Sequence, residues 1–409
     1  MSRLSVGGAP VELLDEIEGR HEAKGGLAKS LPLAHSVNAG ARQRNGGIDA
    51  LRAAVTLLVV FHHTAITYGA IGGWYYKEIS PSHSPSSLLL TLFCAANQAW
   101  FMGLFFLLAG YYTPPACRRH GIVGFTRERL LRLGIPLVVY ALILSPITIA
   151  LAQTADNRSF AGVLDYLWSH GKFEPGPLWF AEALLIFTAV WLLWRVARAS
   201  ETAEGAPFPS NAALLAAAIV TAVVAFLLRL VWPVGVSVAF LQLGYFASYV
   251  VLFAAGCAGA ERRWLEQIPQ SRKKLWVRIA WLTLPIFPII ALLGAKVPWL
   301  SAPLEGGWSL RALAYAFWEP FVAWGFILGL LSFFQQRFAR LSGSWPSLVR
   351  RAFLIYIIHP PIVVGVALAW RDVAAPALVK FLVTGFLASA LCYLLAGLAL
   401  RVPGVARIV

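Results

Sequence analysis

The sequence predicts an all-α integral membrane protein, a bundle of about ten transmembrane helices with both termini in the cytoplasm. Three observations predict it. Of 409 residues, 59% are hydrophobic and only 13% charged. A soluble domain carries about a quarter charged residues, so lipid must solvate much of this surface. Apolar runs long enough to cross a hydrocarbon core of about 30 Å recur along the chain. Lys and Arg gather in alternate connections between those runs.

The runs fall at 48–71, 87–112, 131–152, 177–197, 212–232, 237–259, 277–295, 312–334, 351–370 and 377–400. A tight turn around Trp232-Pro233-Val234-Gly235 separates the fifth from the sixth, and no internal repeat is evident. Residues 1–45 are polar and Gly-rich, without a run long enough for a signal peptide. They are expected to form a flexible cytoplasmic tail, with a short amphipathic turn around Val11-Glu12-Leu13-Leu14 at most. Residues 46–401 form the membrane domain and 402–409 a short cytoplasmic tail.

With the N-terminus inside, 26 of the 34 Lys and Arg residues fall on the cytoplasmic side and seven on the outer side. Arg229 lies within the fifth run and is expected to snorkel. This asymmetry explains the net charge of +15 as topology, so no nucleic-acid partner is inferred. Cys94, Cys117, Cys257 and Cys392 are scattered and signal neither a disulfide framework nor a metal site.

An ionisable group at mid-bilayer costs roughly 2.5–3.5 kcal/mol, which makes it a functional candidate by default. Asp49, Arg52, His62, His63, Glu182, Arg229, Glu319 and His359 qualify. Arg52 and His63 are eleven residues apart, about 16 Å along a helix and nearly on one face. His62 points about 100° away from that face. His359 lies near the midplane before Pro360-Pro361, and Glu319 precedes Pro320 in the outer half. Each has a structural alternative. A lone histidine also serves as an interhelical hydrogen bonder, Glu182 as a wet interfacial carboxylate, Asp49 and Arg52 as a helix-start pair, and Trp179 as part of an aromatic belt.

Four ordered stretches carry a family resemblance. They are Ile48-Asp49-Ala50-Leu51-Arg52 followed by His63, the Arg-rich run from Phe125 to Pro136, Gly176-Pro177-Leu178-Trp179-Phe180-Ala181-Glu182, and Ile355-Tyr356-Ile357-Ile358-His359-Pro360. Together they resemble the acyltransferase-3 family of membrane O-acyltransferases over residues 46 to 400. Trp318-Glu319 and the Gly-Leu-Leu after it have most in common with the glucan biosynthesis succinyltransferase-like branch. A second histidine, His62, precedes the family's single one. The chain length leaves no room for the extracytoplasmic esterase-like domain of some relatives.

The resemblance implies transfer of an acyl group, acetyl or succinyl-like, from cytosolic acyl-CoA to a hydroxyl of an extracytoplasmic carbohydrate or glycan, in a bacterial inner membrane. Acyl-CoA is then a donor substrate and no cofactor is permanently bound. Arg52, Arg129 and Arg132 would bind the CoA phosphates. His63 would be the base, with Glu319, or else Glu182, orienting or charging a histidine. His359 and Tyr356 would position the acceptor or stabilise the oxyanion, and Trp179 would stack on a sugar. Two other classes use the same residue types. A proton-coupled secondary transporter would have broken helices at Pro320 and Pro360-Pro361, and a scaffold or sensor would use its polar groups only to join helices.

Overall fold

Helix α1 (Gly46–Thr67) starts where the Asn45 side chain accepts hydrogen bonds from the amides of Gly47 and Ile48, supplying partners that the first turn lacks. The computed structural model describes residues 45–197, 207–296 and 302–408, so the expected N-terminal tail, with its turn at Val11 to Leu14, lies outside the described residues. Ser84 caps α2 (Pro85–Arg129), Ser159 α5 (Phe160–Ser169), Ser210 α7 (Asn211–Val231) and Ser309 α11 (Leu310–Arg337). Between them lie α3 (Ile135–Val139), α4 (Ser145–Gln153), α6 (Trp179–Ala197), α8 (Phe246–Arg262), α9 (Gln270–Thr283) and α10 (Ile286–Lys296). Three more follow, α12 (Trp345–Ala369), α13 (Ala377–Ala399) and the short α14 (Val405–Ile408). Among the described residues there is no β-strand.

Nine continuous helical stretches among the described residues are long and apolar enough to cross a membrane. One of them, Pro85–Asp156, has 72 residues, which would be about 108 Å if straight. Gly121 breaks it, with φ 67° and ψ 171°. Beyond the break, Arg129 Nη2 donates to Thr113 Oγ1 at 3.1 Å, although sixteen residues of straight helix would rise about 24 Å. The chain therefore turns back at Gly121, and this stretch holds both the second and the third expected spans.

The third span is not a uniform α-helix. Two π-turns, Leu130–Gly134 and Tyr140–Leu144, each precede a proline, Pro136 and Pro146. Proline gives no N–H to the carbonyl four residues back and crowds it. At Pro146 the carbonyl so released is that of Leu142, and Trp168 Nε1 of α5 donates to it at 2.9 Å. Helix α5 was not expected from the sequence. It is too short to span, and its exposed Tyr166 and Trp168 suit an interfacial position.

Other boundaries also move. Residues 232–242 are non-helical, with Ala239 and Phe240 at positive φ, so the sixth span begins at Leu243 rather than at 237. The basic connection before the seventh span is shorter than expected, because Arg272, Lys273 and Lys274 already lie on α9. Pro320 and Pro360-Pro361 sit inside α11 and α12, which continue through them without a break. The interrupted helices that a transporter reading called for are therefore not found at these positions.

Burial sorts the helices in a way hydropathy does not. In their most apolar windows α1 is 67% buried and α11 61%, against 11% for Gln270–Ala291. Helices α1, α11 and α12 thus form the inside of the bundle, with the others around them. Helices α2 and α8 cross with backbones touching. A Cβ on Gly110 would lie 2.1 Å from the Phe253 carbonyl, and one on Gly256 2.1 Å from that of Leu107.

Candidate active site

The start of α1 defines a basic end of the bundle. Arg52 is half-exposed and pairs with Asp49 at 3.6 Å. Arg132, on the first π-turn, pairs with Glu128 at 3.2 Å. Arg129 is partly buried, bonded to Thr113 and packed over the Phe125 ring at 5.0 Å. The charges of Arg52 and Arg132 both act on Arg129, so the three expected cations share one neighbourhood.

At the other end of α1, its last turns carry His62 and His63 to different neighbours, as their 100° offset requires. His62 packs on Phe101 of α2, with centroids 5.0 Å apart. His63 faces α12, its ring 5.2 Å from that of His359 and within 19° of parallel. Helix α12 fixes His359 through its own sequence. Pro360 has no N–H for the carbonyl of Tyr356, four residues back, and His359 Nδ1 lies 2.7 Å from that oxygen. A carbonyl only accepts, so Nδ1 carries the proton and the neutral ring keeps its lone pair on Nε2. That nitrogen is buried and has no hydrogen-bond partner, and the same holds for Nδ1 of His63.

A third ring completes the group. Residues 68–84 fold back over the end of α1. The amides of Glu78 and Ile79 donate to the Thr67 carbonyl at 2.9 and 3.1 Å. Glu78 forms a buried ion pair with Lys380 of α13, and the hydroxyls of Tyr68 and Thr384 are 2.8 Å apart. So anchored, this connection places the Trp74 indole on His63, with centroids 3.9 Å apart and planes within 14°. Tyr75 beside it bonds Tyr140 of the second π-turn, 3.1 Å between hydroxyls. Both tyrosines close on Gly176, which has φ 48° and where a Cβ would meet the Tyr75 hydroxyl at 2.2 Å. Only glycine fits there.

The remaining expected residues are placed differently. Tyr356 is buried and its hydroxyl donates to the Pro177 carbonyl, tying α12 to the turn before α6. Trp179 is half-buried in an aromatic cluster, stacked on Tyr249 at 5.7 Å and touching Phe106. Glu182 is half-buried, and no hydrogen bond or ion pair joins it to either histidine. Glu319 pairs with Arg229. Arg229 does not snorkel, contrary to expectation. It is 1% exposed, donates from Nε to the Gly244 carbonyl at 3.0 Å, and lies 4.8 Å from the Tyr315 ring centroid. The distance from a helix end suggested an escape route to water, but the carboxylate on α11 offers a nearer partner.

Sequence reasoning missed Trp74, Tyr75 and Tyr140. Gly72-Gly73-Trp74-Tyr75-Tyr76 is a conspicuous run in the short connection after α1, and three consecutive aromatics in so short a loop were the available signal.

The fold and this site define a multi-pass helical membrane protein with a cationic end and a two-histidine centre under an aromatic cover. Residues 45–397 match the acyltransferase domain of the acyltransferase-3 family, and the chain belongs to that family. Among curated proteins it is similar to glucans biosynthesis protein C of Escherichia coli (strain SMS-3-5 / SECEC), 26% identical over 175 residues, 40% of this chain and 42% of the relative. It is 27% identical over 175 residues to the protein of that name from Shigella dysenteriae serotype 1, with the same coverage. The chain thus spans about two fifths of the length of these relatives. No solved structure matches it.

Proposed function

We propose that this protein moves an acyl group, acetyl or succinyl-like, from cytosolic acyl-CoA to a hydroxyl of a carbohydrate or glycan acceptor outside a bacterial inner membrane. The observation that carries the reading is α1 itself. It holds Arg52 in the cationic neighbourhood and, eleven residues on, His63 with a free ring nitrogen in the bundle interior. CoA carries a pyrophosphate and a 3′-phosphate, which guanidinium groups bind well. Arg52, Arg129 and Arg132 would hold that head, and the pantetheine arm would run along α1. The positive-inside asymmetry supports a cytosolic basic end, and the name of the similar curated proteins supports a glucan-like acceptor.

The chemistry needs a base in a place free of water. The acceptor oxygen attacks the thioester carbon, a C–O bond forms, and His63 takes the hydroxyl proton. The C–S bond then breaks and the thiolate leaves with the proton from His63. His359 accepts through Nε2, which suits holding a neighbouring hydroxyl of the carbohydrate acceptor. Purified protein in detergent or nanodiscs should bind acyl-CoA and hydrolyse it slowly without acceptor. Failure to do either would remove the reading.

A further inference from the structure

A thioester under attack places negative charge on its carbonyl oxygen, and the reaction needs a hydrogen-bond donor aimed there. The donors first in line are already engaged. The Tyr356 hydroxyl donates to the Pro177 carbonyl, and the one N–H of neutral His359 donates to the Tyr356 carbonyl. His63 must begin without a proton on the nitrogen that acts as base. Of the three rings gathered at the site, only Trp74 keeps a donor of fixed character. Its Nε1–H is buried and has no partner, and an indole nitrogen cannot accept.

Trp74 also lies beside both histidines. Its ring lies 3.9 Å from that of His63 and 5.9 Å from that of His359, all three near parallel. The connection that bears it is held by the Glu78–Lys380 pair and by two amides on the Thr67 carbonyl, so its place is built rather than incidental. The three free nitrogens form a complementary set, with one donor on Trp74, one acceptor on His359 and one base on His63.

We propose that Trp74 is a catalytic residue. Its Nε1–H donates to the thioester carbonyl oxygen as the acceptor hydroxyl gives its proton to His63, and its ring holds the His63 imidazole in plane. The proposal rests on the acyl-transfer reading above. As the C–O bond forms, the carbonyl π electrons move to the oxygen held by the indole. They return as the C–S bond breaks.

The test compares Trp74→Phe, which keeps the stack and removes the donor, with Trp74→Ala and Tyr140→Phe, in membranes at matched expression. Trp74→Phe should lower kcat about a hundredfold, with KM for acyl-CoA unchanged and a monodisperse protein in detergent. Trp74→Ala should be no better. Acyl-CoA hydrolysis without acceptor should fall in parallel, because it needs the same donor. Activity of Trp74→Phe within about twofold of wild type would overturn the proposal, leaving Trp74 a cover over the site. So would a kcat loss confined to Tyr140→Phe, which would move the donor to the tyrosine pair. If the wild-type protein in the same membranes neither binds nor hydrolyses acyl-CoA, it is the acyl-transfer reading that fails, whatever Trp74 does.

Discussion

The Tyr356 carbonyl and His359 Nδ1 lie 2.7 Å apart within one turn of α12, and the residue between that turn and the next is Pro360. An ordinary residue at 360 would offer its own N–H to Tyr356 and compete with the imidazole. Proline thereby fixes a tautomer at a distance of one residue. Pro360→Ala should keep the fold, since the helix gains a bond, yet lower kcat on the order of tenfold. That is less than the ~10²–10⁴ lost with a proton-transfer group, because a carbonyl has two lone pairs and can serve both donors. Steady-state kinetics and thermal unfolding in detergent check it, and a kcat equal to wild type would remove the tautomer argument.

The two adjacent histidines should separate cleanly. His63→Ala should abolish transfer while leaving the bundle intact, because His63 faces α12 and Trp74 whereas His62 packs on Phe101. His62→Ala removes packing and should retain much more activity. Product formation by both variants at matched expression decides. Equal activities, or loss only with His62→Ala, would reassign the base.

Much of this was legible in the sequence, for reasons that differ by residue. The spans were legible because every backbone polar group in lipid must be satisfied within its own helix, which makes hydropathy decisive. The Arg52–His63 relation was legible because both lie on one helix, where spacing alone gives the face. The Trp74 stack and the Arg229–Glu319 pair were not, because each joins elements whose relative position only packing sets. Residues 229 and 319 are 90 apart in the chain. The reversal at Gly121 was legible as a connection, since Arg118, Arg119, Arg127 and Arg129 separate the run ending at 112 from the one starting at 131.

The arginines of the basic end should act on binding rather than on chemistry. Phosphate contacts are made equally in the ground and transition states. Arg52→Ala, Arg129→Ala and Arg132→Ala should therefore raise KM for acyl-CoA with a modest change in kcat. Arg129 should matter most, as the partly buried member of the three with no carboxylate among its bonded partners. Unchanged KM in all three would leave them a purely topological role.

Glu319 and Arg229 give a test that separates structure from catalysis. Both are nearly inaccessible, and each retains one buried atom without a partner, Oε1 and Nη1. Removing either partner strands a charge, at a cost of about 3–5 kcal/mol. Glu319→Gln and Arg229→Met should each lower the unfolding temperature in detergent, and the double variant should recover much of the loss. A Glu319→Gln protein of normal stability but reduced kcat would instead support the role expected from sequence, orienting or charging a histidine.

Sidedness underlies the whole route, and it follows from the cost of moving Lys and Arg across the bilayer, not from catalysis. The chain puts Ser169 at the end of α5 and Ser271 in the first turn of α9, both exposed and at opposite ends of the bundle. Helix α5 lies in the connection preceding Gly176, beside which Tyr75 and Tyr140 meet, so it marks the end from which the acceptor should arrive. Helix α9 starts among Arg272, Lys273 and Lys274, which marks the end expected to meet CoA. Cys94, Cys117 and Cys392 are buried and Cys257 partly so, and replacing all four gives a background without native thiols. In it, Ser169→Cys should react with a membrane-impermeant maleimide in intact cells or spheroplasts, and Ser271→Cys only after lysis. Labelling of the Ser271 site from outside would invert the bundle. It would place the arginines where no acyl-CoA is found, and the proposed entry of both substrates would be wrong.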